Sequence, residues 1–404
     1  MCPDVFRIHL QEKDDRMSGR YDETLCCCAL NMIFGYEPKI SHAIVETLGS
    51  AAAVFSLDRE GLDTVFGPYS VHRSRISPKA LDDASRELEK AASAGCVFIG
   101  CTDGDYPALL RECPDAPAGI YVRSSLRPAD ILGKRGMLSV VGTRDVSAYG
   151  REWTMRVVSS MSSVTPEPPV IVSGLAYGVD FIAHRQALDS GLLTIAVMAT
   201  GPDSVYPSRH ASIADEIASH GALVTDFPVG TSPLKVNFIR RNRIIAGLSS
   251  SVILMESRMK GGGMVTAGLA MSYDRNVYAL PGRIDDDRSR GCNWLIRSRS
   301  AEPVFSLEDL AAGMGLRMGE GVRRKIPEDY VREVFAGRLD SRKIGDLAAV
   351  ISAVRRNRGI TVDELAVMLG RPWKETREYV AMLEQDGMLA VDIMQRCSIC
   401  VGRQ

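Results

Sequence analysis

Apolar positions recur along the chain in two rhythms. From about Thr24 to Glu89 the spacing is that of short helices broken by glycine: TLCCCALNMIFGY, ISHAIVETLGSAAAVFSL and KALDDASRELEKAASAG. At Cys96-Val97-Phe98-Ile99-Gly100 the rhythm changes, and short β-rich runs alternate with helix-length amphipathic segments. The runs are LSVVG (Leu138 to Gly142), VIVSG (Val170 to Gly174), TIAVMATG (Thr194 to Gly201), ALVTD (Ala222 to Asp226), VILME (Val252 to Glu256) and VYALPG (Val277 to Gly282). Strand, turn and helix repeated in this order predict βαβ units: an α/β body with a Rossmann-like, doubly wound, mostly parallel sheet.

After Phe305 these runs stop, and MGEGVRRKIPEDYVREVFAGRLDSRKIGD reads as a charged linker. From Asp346 the segments DLAAVISAVRR, TVDELAVMLG and PWKETREYVAMLEQDG predict three helices, and MLAVDIMQRCSICV a terminal β-pair, the order of a winged helix. The expected divisions are a helical domain over 1–90, the α/β body over 91–310, a linker over 311–342 and a winged-helix domain over 343–404.

Composition narrows the partners. The 404 residues carry 49 Lys+Arg against 50 Asp+Glu, a net charge of -1, so any anion site must be local. At 45% hydrophobic and 25% charged the chain has the make-up of an ordinary globular protein. No run approaches the roughly 18 apolar residues of a membrane span, and MCPDVFRIHLQEKDDR is too charged for a secretory signal. A cytoplasmic location without membrane partners is expected. The 10 cysteines, including Cys26-Cys27-Cys28 and the Cys397/Cys400 pair, lack zinc-ligand spacing and are expected to be small buried hydrophobes. No metal and no cofactor are expected.

The chemistry lies in the strand-end turns. In a parallel sheet these share one edge, where ligands bind. They are Gly142-Thr143-Arg144, Ser173-Gly174-Leu175-Ala176-Tyr177-Gly178, GPDSVYP, the arginine segment NFIRRNRIIAG, Lys260-Gly261-Gly262-Gly263 and Pro281-Gly282. Glycine there lets backbone N–H groups approach an anion, and a following helix N-terminus adds partial positive charge. Repeated along one edge, such turns predict a groove, with Arg144, Lys235, the Arg240, Arg241 and Arg243 group and Lys260 projecting into it. Neither G-x-G-x-x-G nor G-x-x-x-x-G-K-[ST] is present, which disfavours a dinucleotide or P-loop site.

Taken together, GTR, SGLAYGVDFIAH, GPDSVYP, FIRRNRIIAGLSSSVILMES, KGGGMVTA, ALPG and GCNWLI resemble the DNA-processing protein A (DprA/Smf) family, from about Asp105 to Ile296. The resemblance implies a protein without catalytic activity that binds single-stranded DNA, protects it after uptake and helps load the RecA recombinase during natural transformation. It also implies a homodimer formed through the body, single-strand-binding protein as a further partner, a small SAM-like helical domain at the N-terminus and a C-terminal winged helix. It places phosphate contacts at Arg144, Ser173, Gly174, Lys235, Lys260 and Gly263, and makes Phe238 a base-stacking platform worth about 1–3 kcal/mol. Arg240, Arg241, Asn242 and Arg243, read as the start of a helix at this edge, are divided between DNA contact and structural bonds. Arg243 and Asn242 are the two placed to reach strand-end carbonyls or Asp180. Ile239 stands where the family commonly has proline, Thr225-Asp226 where Ser-Glu is usual, and Ser300-Ala301 where Gly-Ala is expected.

Two rival classes fit parts of the same sequence. A phosphoribohydrolase-like nucleotide hydrolase on the same fold would carry an acid just after the glycine turn, in a PGGxGTxxE pattern, and KGGGMVTAGLAMS has none. Its remaining candidates are Asp180 with His184 and Glu256. A duplex-DNA regulator would act through the third C-terminal helix, yet Lys374 and Arg377 there are offset by Glu375, Glu378, Glu384 and Asp386.

Overall fold

Every β-rich run named above becomes a strand in the computed structural model, which describes residues 21–133, 136–316, 331–332, 334–357, 359–392 and 394–399. The described residues divide into two compact units between residues 318 and 319. In the first unit the strands are β1 (Val97–Gly100), β2 (Gly119–Arg123), β3 (Met137–Val141), β4 (Val170–Ser173), β5 (Thr194–Val197), β6 (Gly221–Thr225), β7 (Ser251–Leu254), β8 (Asn276–Ala279) and β9 (Glu302–Pro303). They form one sheet in the order β1-β2-β6-β5-β4-β3-β7-β8-β9. Pairing is parallel from β6 through to β9, while β2 runs antiparallel to both its neighbours. The sheet is thus mostly parallel, as expected. The short strands β2 and β9 were not read from the sequence.

The central strands are buried on both faces, which is why they read as continuous apolar runs. Leu138 and Val140 of β3 share a core with Val157, Val158 and Met161 of the helix Ala148–Val164 and Val179 and Ala183 of the helix Val179–Asp189. Met137 and Val141, one residue out of phase, pack on the other face with Ile244 and Ile245 of the helix Lys235–Leu248 and Ala267 of the helix Gly262–Ser272. Ser139, on that same face, donates to the Ile245 carbonyl at 2.7 Å, locking the crossover helix to the central strand.

Among the described residues five α-helices precede the sheet: Glu23–Phe34, Pro38–Leu48, Ala51–Ser56, Arg59–Phe66 and Pro78–Ser93. Asp22, Ser50, Asp58 and Ser77 cap four of them by accepting a backbone N–H, each worth about 1 kcal/mol. Cys26, Cys27, Cys28, Leu30 and Phe34 are buried in a cluster that includes Phe98 of β1 and Tyr121 of β2, so these helices share a core with the edge of the sheet. Cys400 lies outside the described residues.

In the second unit the helices Ser341–Arg356, Val362–Leu369 and Trp373–Gln385 are followed by β10 (Leu389–Val391) paired antiparallel with β11 (Cys397–Ile399). Leu347, Val350, Ile351 and Val354 bury against Leu365, Val380, Leu383 and Leu389, a core of its own. Most of the linker stretch falls outside the described residues.

Candidate nucleic-acid interface

The strand order creates a crevice at the carboxyl end of β3. From β3 the chain steps through β4 and β5 to β6, then returns across the sheet to β7 on the other side of β3. Crevices at such reversals are where open α/β sheets bind ligands. The return is made by the helix Lys235–Leu248, so its N-terminal turn stands at the carboxyl edge and adds partial positive charge there.

That helix begins at Lys235, five residues before Arg240, which corrects the sequence-based placement of the arginines at its start. Lys235 and Phe238 hold the first turn; the arginines follow and separate by burial. Arg241 is 3% exposed, and its Nη1 donates to the carbonyls of Gly174 and Val197, at the ends of β4 and β5. Burial draws its pKa down to about 10, opposed by the Asp180 carboxylate. Gly174 is glycine because a Cβ would lie 2.1 Å from Arg241 Nη1. Ser173 is fully buried and its Oγ donates to Val140 O at 2.6 Å. Ser173, Gly174 and Arg241 are therefore internal braces, a correction to their assignment as strand contacts. Arg243 pairs in the core with Asp226 at the end of β6, and among the described residues it makes no bond to a strand-end carbonyl or to Asp180, the partners expected for it. Arg240 is half-buried, its guanidinium 3.9 Å from the Tyr36 ring centroid. Two positions from Phe238, it lies on a nearly opposite face of the helix.

The remaining predicted residues gather at the edge. Arg144 Cζ stands 5.2 Å from the centroid of the half-buried Phe238 ring. Asn242 is half-buried one turn below Phe238. The Gly142–Thr143 turn and the Gly262–Ser272 helix close on one another: a Cβ on Gly263 would come within 2.4 Å of the Leu254 side chain and 3.4 Å of Gly142 Cα. Gly263 is accordingly buried, and the Thr143 N–H is taken by Glu256 O at 2.8 Å. Lys260 is exposed in the turn just before this helix. Among the described residues, Arg144, Lys235 and Lys260 are exposed and in no ion pair. Arg258, Arg288 and Arg290 are instead held in ion pairs with Asp145 and Asp287 at 3.0–3.5 Å.

Two aromatic residues at this edge were missed. Tyr206 and Tyr177 are each 45% exposed; the first packs its ring 5.4 Å from Phe238, the second 4.9 Å from buried His210. Both sit in motifs already singled out, GPDSVYP and SGLAYG, and the available signal was a tyrosine in a turn beside cations.

The acids of the rival reading have structural partners. Glu256 is 1% exposed and both its oxygens accept from Ser147, at the backbone N (2.9 Å) and at Oγ, fixing the start of the helix Ala148–Val164. Asp180 is buried, accepts from Ala176 N at 3.4 Å, and has its pKa raised by desolvation despite Arg241. Thr194 Oγ1 donates its one proton to Ile171 O at 2.9 Å, so His184 Nδ1 is the donor to Thr194 at 2.7 Å and its Nε2 is left buried without a partner. Burial, with Arg241 and His210 nearby, drives the His184 pKa down to about 3. The unfolded chain takes up this proton at about pH 6.5 and the native one only at about pH 3, so stability falls as pH drops through that window, by about 2 kcal/mol at about pH 5. In His184→Leu, urea melts across this range should lose about one proton from their pH dependence. An unchanged slope would mean that the imidazole is solvated. Among the described residues no group of three His, Cys, Asp or Glu side chains could hold a metal ion, and no helix is long and apolar enough to cross a membrane.

Comparison with known proteins gives the family. The family model described as DNA recombination-mediator protein A matches residues 97–315, more than half of the chain. Protein Smf of Synechocystis is 36% identical over 243 residues, 59% of this chain and 60% of that protein. Protein Smf of Escherichia coli is 38% identical over 213 residues, 52% of this chain and 55% of its own length. The chain thus spans a little over half the length of these two relatives. The DNA processing protein DprA of Streptococcus pneumoniae is 38% identical over 234 residues, 57% of this chain and 78% of that one. The X-ray structure of DNA processing protein A from S. pneumoniae superposes with a TM-score of 0.55 at 33% identity, covering 62% of this chain and 86% of the other. With the family match running from β1 to the helix after β9, the chain belongs to the DNA recombination-mediator protein A family, the DprA/Smf proteins.

Proposed function

We propose that the carboxyl edge of the sheet binds single-stranded DNA without strong sequence preference. The observation that carries this reading is the combination of unpaired cations (Arg144, Lys235, Lys260) with part-exposed rings (Tyr177, Tyr206, Phe238) along one edge. Cations take backbone phosphates. Rings take unstacked bases, which a duplex does not offer. With a net charge of -1 on the whole chain, attraction is local and should be strongly screened by salt.

The family's description as a recombination mediator supports a role in which the bound strand is protected and passed to a RecA-type recombinase, with single-strand-binding protein as the competitor to be displaced and a homodimer as the working unit. Natural transformation is the setting that the family resemblance favours. The protein acts by binding rather than by chemistry. The C-terminal unit, whose third helix mixes acids with bases, serves as an accessory.

The test is a salt titration of binding to oligo-dT and to duplex DNA, with a parallel incubation in nucleoside monophosphates. Oligo-dT should bind more tightly, log K should fall with log salt by about 0.7 per phosphate contact, and Tyr206→Ala with Phe238→Ala should weaken binding roughly tenfold or more. Equal or tighter duplex binding would move the function to the C-terminal unit. Release of free base would restore the hydrolase.

A further inference from the structure

Beyond Phe238 the helix Lys235–Leu248 presents a second groove, of about 500 Å³, on its other flank. The Tyr36–Ile40 turn forms one wall, Ile239, Arg240 and Arg243 the floor, and Val265 and Leu269 the far side. Tyr36 is 61% exposed and held in place: its hydroxyl donates to Asn237 Oδ1 at 3.2 Å, while Arg240 packs its guanidinium on the ring. Both terminal nitrogens of Arg240 are buried without a hydrogen-bond partner in the protein. So are Nε and Nη1 of Arg243, which is 5% exposed. Buried N–H groups of a cation are costly unless an acceptor reaches them. Two acids also line the groove and turn to other partners, Glu37 pairing with Arg75 at 3.3 Å and Asp115 Oδ1 accepting from the Tyr273 hydroxyl at 2.6 Å. Lys39 adds an exposed cation at the rim.

A unit of ring plus guanidinium therefore stands on each of two flanks of this helix, Phe238 with Arg144 on one and Tyr36 with Arg240 on the other. The two are joined by Asn237, which bonds Tyr36, and by Ile239, which is 58% exposed. We propose that single-stranded nucleic acid leaving the strand-end groove crosses this helix and continues over the second groove, stacking a base on Tyr36 and placing a backbone phosphate against Arg240 and Lys39. The proposal rests on the strand-binding reading above and assigns the N-terminal helices a direct part in it. A helix about 10 Å across separates the two platforms, so only a strand longer than the first groove can reach the second.

The experiment uses the full chain and an oligo-dT series from about 6 to about 20 nucleotides. Tyr36→Ala and Lys39→Glu should bind the shortest oligomers like the parent and lose about tenfold on the longest. An oligomer carrying photoreactive 4-thiothymidine should cross-link to Tyr36 in the unaltered protein, a readout that no folding defect can mimic. Arg144→Ala, in the first groove, should weaken every length. If Arg144→Ala acts while Tyr36→Ala and Lys39→Glu bind all lengths like the parent and no cross-link forms at Tyr36, the second groove is not on the strand's path. If recombinase binding falls in those variants with oligomer binding intact, it belongs to a protein partner instead. If the parent binds no oligomer, or Arg144→Ala changes nothing, the strand-end reading itself fails.

Discussion

Arg243→Ala should lower the unfolding free energy by about 3–5 kcal/mol, the usual consequence of stranding one member of a buried ion pair. Arg243 and Asp226 have side chains only 6% and 2% exposed, so alanine leaves the carboxylate uncompensated at the end of β6, beside the helix Glu23–Phe34. The site is tied on two sides, since Asp226 O also accepts from Asn31 Nδ2 at 2.8 Å. Loss of the pair should therefore loosen the N-terminal helices together with the sheet edge. Joint replacement, Arg243→Met with Asp226→Leu, removes both charges and should recover most of the loss, because desolvating the pair costs about as much as its attraction returns. Urea denaturation of the two variants decides the matter. A loss below about 1 kcal/mol in Arg243→Ala would show that water reaches the pair.

The opposite signature is expected from the exposed cations. Arg144→Ala, Lys235→Ala and Lys260→Ala combined should leave the unfolding free energy within about 0.5 kcal/mol, since none of the three is in an ion pair or buried. Oligo-dT affinity should nonetheless fall about a hundredfold, equivalent to about 2.7 kcal/mol, and the salt slope should drop by about 2, the sum of three contacts at about 0.7 each. The measurement is fluorescence anisotropy across a salt series. A triple variant with parental affinity and slope would remove the strand-end edge from the DNA's path, whatever its other variants do. Arg241→Ala provides the contrast: it unties the β4 and β5 carbonyls and should fail by losing stability, not by losing a phosphate contact.

Much of this organisation is written in local patterns. Short apolar runs closed by turn residues predict β3 to β8 because a strand buried on both faces is apolar at most positions. Amphipathic segments between them predict the crossovers, and parallel pairing follows from that alternation. Strand-end glycines beside Arg144 and Lys260 likewise mark the edge, because parallel strands bring their carboxyl ends together. The strand β2 escaped because five residues, GIYVR, follow a proline-rich turn and take their place from pairing with β1 and β6 rather than from any pattern of their own.

What only the folded chain decided is the division of labour within RRNR. Arg240, Arg241 and Arg243 have the same chemistry and neighbouring positions, and nothing local separates them. Each step along a helix turns the side chain by about 100°, so one arginine enters the space above Gly174, another reaches Asp226 and a third lies on Tyr36, a residue some two hundred positions away. Burial is a property of what the helix packs against. The same holds for Tyr206, which becomes part of the aromatic edge only when the loop after β5 brings it to Phe238.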